Sequence, residues 1–261
     1  MLRSLYTAAS GMAAQELKMD VISNNLANAG TVGFKKERAE FEDLLSDTMR
    51  VAQAPNPSGG NQPVGLQVGL GVRPSSTSRS MAQGDLQNTN NQTDVAIQGD
   101  GFLRVQQANG QMAFTRAGNL RVDATGRIVT QHGEIVQPGI TVPTGTTQLT
   151  IGSDGTTTAL VAGNTNAQEL GVIELATFVN PAGMQNLGNN LLGQTAASGD
   201  PLILRPGEQN AGTLAQGYLE SANVKAVDEM IDMITTQRAY ELNSKVVEAG
   251  DEMLQRLTSL R

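Results

Sequence analysis

The side chains that carry most enzyme chemistry are nearly missing from this sequence. It has a single His, at position 132, and no Cys. Thiolate nucleophiles, disulfides and thiolate metal sites are therefore excluded, and a histidine triad or histidine-metal cluster has nothing to be built from. His132 precedes Gly133 and reads as a surface turn residue. Gly99-Asp100-Gly101 has the glycine spacing of a phosphate-cradling loop, but it leads into a strand pattern at Phe102 and no Lys-Ser/Thr pair follows. It reads as a β-turn. Cleaving a glycan would need two opposed carboxylates, and no spacing of Asp and Glu in the middle of the chain singles out such a pair. The sequence predicts no catalytic residues, no cofactor and no metal, which leaves assembly or binding as the leading class.

Composition points the same way. The net charge is -7 and the pI is near 4.8, with no Lys anywhere between residues 51 and 216. A nucleic-acid binder would show a basic stripe; none exists here. No apolar run approaches the ~20 residues that a membrane-spanning helix needs, so no membrane insertion is expected. The 29 Gly residues among 261 suit tight turns and close backbone contacts.

Two long elements must position whatever the chain binds. From about Leu2 to Ala29, Leu5, Met12, Met19 and Leu26 recur every seven residues, with Leu2, Ala8 and Ile22 beside them. This is an amphipathic helix roughly 40 Å long, with Gly30 at its C-terminal cap position. A cleaved leader is not expected, because the periodicity runs on past Gln15, Glu16 and Lys18. The counterpart helix spans about Asn223 to Leu260, with Asn223 as N-cap and Asp228 and Glu229 at the positive end of the helix dipole. Its stripe holds Val224, Val227, Ile231, Ile234, Leu242, Val246, Ala249, Met253, Leu257 and Leu260. Arg238 interrupts that stripe and is placed to pair with Glu241 or Glu16, or to face a channel. Periodicity alone suits an intramolecular stalk and a polymer equally, and burial within one isolated pair would leave both helices marginal in a free monomer.

Between the helices the period drops to two. Asn109-Gly110 joins Phe102–Gln107 to Gln111–Arg116 as a hairpin, further turns fall at 123–126 and at Asp154-Gly155, and Val172 to Val179 reads as one more strand. The expected class is α+β: a terminal helical domain from 1–30 and 222–261 forming a coiled-coil-like pair, a connecting region from 31–93 and 201–221, and an antiparallel β-rich domain from 94–200. Inside the connecting region lies a Pro/Gly-rich insert at about 46–72. There Val64, Leu66, Val68, Leu70 and Val72 alternate with Gly65, Gln67, Gly69 and Gly71. One face is apolar and the other nearly bare. An edge strand closing the β domain and a contact between subunits explain it equally well.

Several of these residues form motifs. Asn24-Asn25-Leu26-Ala27-Asn28, Thr31 and Gly33-Phe34-Lys35 stand near one end, and Gln237-Arg238-Ala239-Tyr240-Glu241 with Asn243-Ser244-Lys245 near the other. Between them run Asp94-Val95-Ala96-Ile97, Gly99, Gly101-Phe102, Phe114-Thr115-Arg116, Gly118, Val122-Asp123, Gly126 and Val129-Thr130. In this order the set resembles the signatures of the bacterial flagellar rod and hook proteins, and the resemblance covers nearly the whole chain. It implies a structural, non-enzymatic subunit of the basal body. Such a subunit is exported by the flagellar type III apparatus and packed with copies of itself into a hollow helical tube. The implied partners are other axial proteins (proximal rod and hook) and surrounding ring proteins, at a location that spans the periplasm. The length fits the proximal or distal rod subunits, and the insert favours the distal one. A peptidoglycan-cleaving enzyme is the alternative from another class.

On this resemblance the expected subunit interface comprises Leu5, Met12, Met19, Ile22, Asn24, Asn25, Leu26, Phe34, Val227, Ile231, Ile234, Arg238, Tyr240, Val246 and Met253. Insert contacts are expected at Val64, Leu66, Val68, Gly69 and Gly71. The asparagine amides are read as bonding at a subunit junction. Phe34 anchors an apolar joint, with Lys35 at its polar rim.

Overall fold

A computed structural model describes residues 2–50, 65–163, 166–209 and 211–259. Residues 51–64, including Val64 of the insert, and Leu260 lie outside this set. The architecture is α+β, and the chain divides into two compact units, one of Met1–Leu26, Glu37–Ser78 and Lys225–Arg261, the other of Ala27–Lys36 and Arg79–Val224. No helix among the described residues is long and apolar enough to cross a membrane.

The first unit is built on α1 (Leu2–Ala27) and α2 (Ala226–Ser259). Leu5 lies against Gly250, Gly11 against Asn243 and Asn25 against Glu229, so the helices run antiparallel. Their seam is made of small and polar side chains. On α2 Glu229, Thr236, Asn243 and Gly250 recur every seven residues and turn inward; on α1 Ala8 and Ile22 are buried a heptad apart on either side of half-buried Gln15. Gly11 and Gly250 set the approach: a Cβ on Gly250 would fall 2.7 Å from Leu5 Cδ2, and one on Gly11 would fall 3.0 Å from Asn243 Nδ2. Two small ladders complete the unit. β1 (Glu37–Asp43) pairs with β4 (Val72–Arg79), and β2 (Asp47–Arg50) with β3 (Leu66–Val68).

The second unit contains sixteen short strands among its described residues. In chain order they are β5 (Leu86–Asn88), β6 (Val95–Gln98), β7 (Phe102–Gln106), β8 (Met112–Thr115), β9 (Arg121–Val122), β10 (Ile128–Val129), β11 (Ile135–Val136) and β12 (Thr146–Ile151). Then come β13 (Thr156–Val161), β14 (Gln168–Val172), β15 (Leu175–Thr177), β16 (Gln185–Gly188), β17 (Leu191–Gly193), β18 (Leu202–Leu204), β19 (Thr213–Gln216) and β20 (Tyr218–Glu220). All register pairs are antiparallel. β7 carries β8 along one edge and, along the other, β15 beside Phe102-Leu103 and β11 beside Val105-Gln106. β12, β13 and β14 form a separate sheet, and β6 pairs with β19 as β5 does with β20. Val95, Ile97, Leu103, Val105, Leu120, Ile173, Leu175 and Leu214 meet in one buried core, while Phe102 and Phe114 meet Phe178 edge-on in a second.

Four expectations change. The single strand over 172–179 is broken between β14 and β15. β14 ends at Val172, fully buried Ile173 donates its N–H to Gly155 O at 2.8 Å, and from Leu175 the chain pairs with β7 and β18 instead of β13. The apolar alternation at 66–68 does not close the β domain, because β3 pairs with β2. Helix α1 ends at Ala27, three residues before Gly30, where Asn28 and Thr31 form a turn. Asn223 is no N-cap: α2 starts at Ala226, with Lys225 O accepting from Glu229 N. The Asn223 amide instead bridges Lys36 N (2.6 Å), Ser80 O (3.0 Å) and Ala82 O (2.9 Å).

Candidate functional site

Two features stand out, a buried ion cluster in the second unit and an apolar helix face in the first. The cluster centres on Glu220 at the end of β20, 1% exposed. Its carboxylate accepts from Lys35 Nζ at 2.6 Å, from Arg116 Nη1 at 3.1 and 3.3 Å, and from Gly84 N at 2.9 Å. Lys35 also donates to Ala82 O at 2.7 Å, and Arg116 to the carbonyls of Gly101 (Nε, 3.0 Å) and Gly99. The guanidinium sits 5.5 Å from the Phe102 ring centroid. Every polar atom of this charged triad has a place to bond, which is the condition under which ions tolerate burial. Burial holds the Lys35 ammonium below the usual lysine range; its hydrogen bond to Glu220 acts in the opposite sense, and the Arg116 charge adds to the depression.

Local sequence explains how three distant segments reach one point. Gly33 takes φ +70°, and a Cβ there would fall 2.7 Å from Arg116 C, so only glycine lets this turn lie on the β8 end. Its N–H donates to Glu220 O at 2.8 Å. The Gly99-Asp100-Gly101 turn points carbonyl oxygens at a guanidinium, the opposite polarity to a phosphate-binding loop. Lys35 is therefore not at a polar rim but inside, 5% exposed. Phe34 lines a small cleft with Phe102, Asn190 and Leu192. Arg116 stands within a sequence motif, whereas Glu220 carries no such mark: a lone Glu after Tyr-Leu gives no signal that two cations converge on it.

The helix face is the reverse case. Val227, Ile231, Ile234, Leu242, Val246 and Met253 are all at least 48% exposed, Val227 reaching 68%, and Tyr240 and Arg238 are exposed beside them. On α1 the Leu5, Met12, Met19 and Leu26 column is half-buried, Ile22 is buried and Asn24 is exposed. Asn25 is buried within the chain, its amide bracketing the Glu37 backbone (Oδ1 to N, 2.9 Å; Nδ2 to O, 2.8 Å) and reaching Glu229 at 3.2 Å. In the insert Leu66, Val68 and Gly69 are exposed. Gly71 is approached by its own chain: at φ +116° a Cβ would fall 2.2 Å from Ser10 Oγ. His132 is exposed in its turn, and no group of His, Cys, Asp and Glu among the described residues could hold a metal.

Comparison with known proteins covers the segments that carry both features. Residues 5–35 match the family described as flagella basal body rod protein, residues 96–159 the flagellar hook protein FlgE/F/G D1 domain, and residues 215–260 the flagellar basal body rod FlgEFG protein C-terminal family. The three matches hold Lys35, Arg116 and Glu220, one each. The chain is 47% identical over 261 residues to the flagellar basal-body rod protein FlgG of Caulobacter vibrioides and 39% identical over 267 to that of Bacillus subtilis, covering all of both chains in each case. It is also 45% identical over 138 residues to the flagellar hook protein FlgE of Helicobacter mustelae, spanning 52% of this chain and 30% of the hook protein. With full-length identity at this level and family matches at its start, middle and end, the chain belongs to the flagellar basal-body rod protein family.

Proposed function

We propose that the chain polymerises with copies of itself into the distal rod, a hollow helical drive shaft that transmits torque and passes exported subunits. The carrying observation is the α2 face. Val227, Ile231, Ile234, Leu242, Val246 and Met253 present large apolar groups to solvent, while the helix satisfies its partner α1 with Glu229, Thr236, Asn243 and Gly250. A monomeric surface rarely keeps so long an apolar stripe uncovered, and a second copy covers it. The full-length likeness to proteins named FlgG supports the distal rod among the rod subunits. In this reading the chain has no catalytic role. It is exported through the flagellar type III apparatus, spans the periplasm, meets the proximal rod and hook at its ends, and is surrounded by ring proteins. Leu66, Val68 and Gly69 of the insert brace neighbouring subunits.

The test replaces Ile231 or Ile234 with Asp in otherwise intact protein. Because both side chains are exposed, monomer melting is expected to stay unchanged, whereas an unpaired charge placed in an apolar contact abolishes tube formation in electron micrographs and motility in cells. Full-length tubes from both variants would overturn the reading.

A further inference from the structure

We infer that Asn109-Gly110 is a deamidation site gated by folding, open to the reaction in the unfolded chain and held out of it by the hairpin turn of the β unit. It is the one Asn-Gly pair in the sequence; every other Asn is followed by a residue that carries a side chain. Glycine matters because the attacking group is the backbone nitrogen of the following residue, which a side chain there would hinder. In the reaction the Gly110 nitrogen gives up its proton and attacks Asn109 Cγ. The new N–Cγ bond closes a succinimide ring, the Cγ–Nδ2 bond breaks, and Nδ2 takes up a proton and leaves as ammonia. Water then opens the ring at either carbonyl, which leaves an aspartate or an isoaspartate at that position.

Burial does not protect the pair. Asn109 and Gly110 are both exposed, and a Cβ on Gly110 would meet nothing within 4 Å, so water reaches them freely. Hydrogen bonds hold the reacting atoms instead. Gly110, at φ +83°, donates its N–H to Gln107 O at 2.9 Å, and that bond must break before the nitrogen can lose its proton. The group under attack is tied as well: Asn109 Oδ1 accepts from Gln111 N at 2.9 Å, and Nδ2 donates to Gln111 Oε1 at 3.1 Å. Beneath the turn Gln107 N donates to Gln111 O at 2.9 Å, and the ladder runs on through Gln106–Met112 to Val105–Ala113, the last two fully buried. Ring closure in the folded protein therefore requires several bonds to open together, each with a modest net worth that multiplies into a slowing of at least about tenfold. An unfolded chain has none of them. The products differ in cost: an aspartate can still accept from Gln111 N, whereas an isoaspartate adds a carbon to the backbone of a turn whose bonds fix its length.

The test holds the full-length protein in mildly alkaline buffer, either native or unfolded in urea, and follows Asn109 by peptide mass mapping with isoaspartate detection. A synthetic peptide of residues 105–113 in both buffers gives the open-chain rate and any direct effect of urea. Native protein is expected to lose Asn109 at least about tenfold more slowly than unfolded protein, and the unfolded protein to match the peptide. Gln107→Pro removes the N–H that closes the turn, and in folded protein it should raise the rate by about threefold or more. Loss as fast in native protein as in urea would overturn the inference, whether or not that variant folds. A folded Gln107→Pro protein that loses Asn109 no faster than the parent would overturn it too, since the protection would then lie outside the turn.

Discussion

The two units of the molecule dispose of their apolar residues in opposite ways. In the β unit a core of large side chains is sealed: Ile97, Leu103, Leu120, Ile173 and Leu175 all fall below 2% or at 2% exposure, and buried Lys35 and Arg116 pair with Glu220. In the helix unit the large side chains of α2 stand outside, and apart from Ile22 the buried positions go to Gly, Ala, Thr, Asn and Glu. The β unit is built like a finished domain. The helix pair is built like half of one, with a seam that specifies its partner weakly by area and strongly by polar matching. Where a side chain sits in the β unit reports folding, and where it sits in the helix unit can report association.

Removing Glu220 should have the largest effect. Glu220→Ala leaves the Lys35 ammonium and the Arg116 guanidinium buried without their shared carboxylate, and such a loss costs about 3–5 kcal/mol. Urea titration of the monomer should show this directly. Lys35→Met with Glu220→Leu should cost markedly less than the sum of the two single changes, since the pair is coupled.

Next comes a matched pair of core and face changes. Leu103→Ala is expected to cost about 2–5 kcal/mol by leaving a cavity, whereas Leu242→Ala on the outer face of α2 should stay within about 0.5 kcal/mol in the monomer. Tube assembly should rank them the other way once stability is allowed for, Leu242→Ala raising the assembly threshold while Leu103→Ala affects chiefly folding. Equal monomer costs would collapse the contrast between the units.

The sequence made part of this contrast readable. Heptad spacing revealed both helices because apolar recurrence is a local property, and Asn109-Gly110 marked its hairpin because only a few residues accept positive φ, as Gly110 does at +83°. Direction was harder. The apolar stripe of α2 is conspicuous, but nothing local says whether it meets α1; Gly11, Gly250 and the Asn25–Glu229 contact, which leave no mark on periodicity, turn a different face of α2 to α1. An asparagine amide suits a cap, a turn or a junction equally, and the partners found within the chain, Glu37 for Asn25 and Lys36, Ser80 and Ala82 for Asn223, are set by tertiary structure. The ion cluster was the least legible of all, since its three charges come from positions 35, 116 and 220 and meet only after the sheets have formed.

The smallest effect concerns a turn of the β unit. The Asp123 carboxylate accepts from Thr125 Oγ1 (2.7 Å), Arg127 N (2.9 Å) and Thr125 N (2.7 Å). These bonds, the Thr125 hydroxyl foremost, lower its pKa from 3.8 to about 2. A folded-state value below the unfolded one means the unfolded chain binds the proton more readily between them. The contribution to stability is therefore fully present above pH 3.8 and is lost as the pH falls toward 2. Carboxyl chemical shifts followed by NMR should show a midpoint near 2, and Asp123→Asn should flatten the acid limb of the stability curve slightly.

The path of the chain through the β unit also governs when that unit can fold. β6 finds its mate in β19 and β5 in β20, and Lys35 finds its counter-ion at Glu220. Its first elements are thus completed by its last, a high-contact-order arrangement in which closing the loop must precede the reward. A chain that appears one end first holds Val95, Ile97 and Lys35 without partners until residue 220 has arrived. Partial chains should stay open and pliable, and the unit should snap shut as one cooperative event at the end.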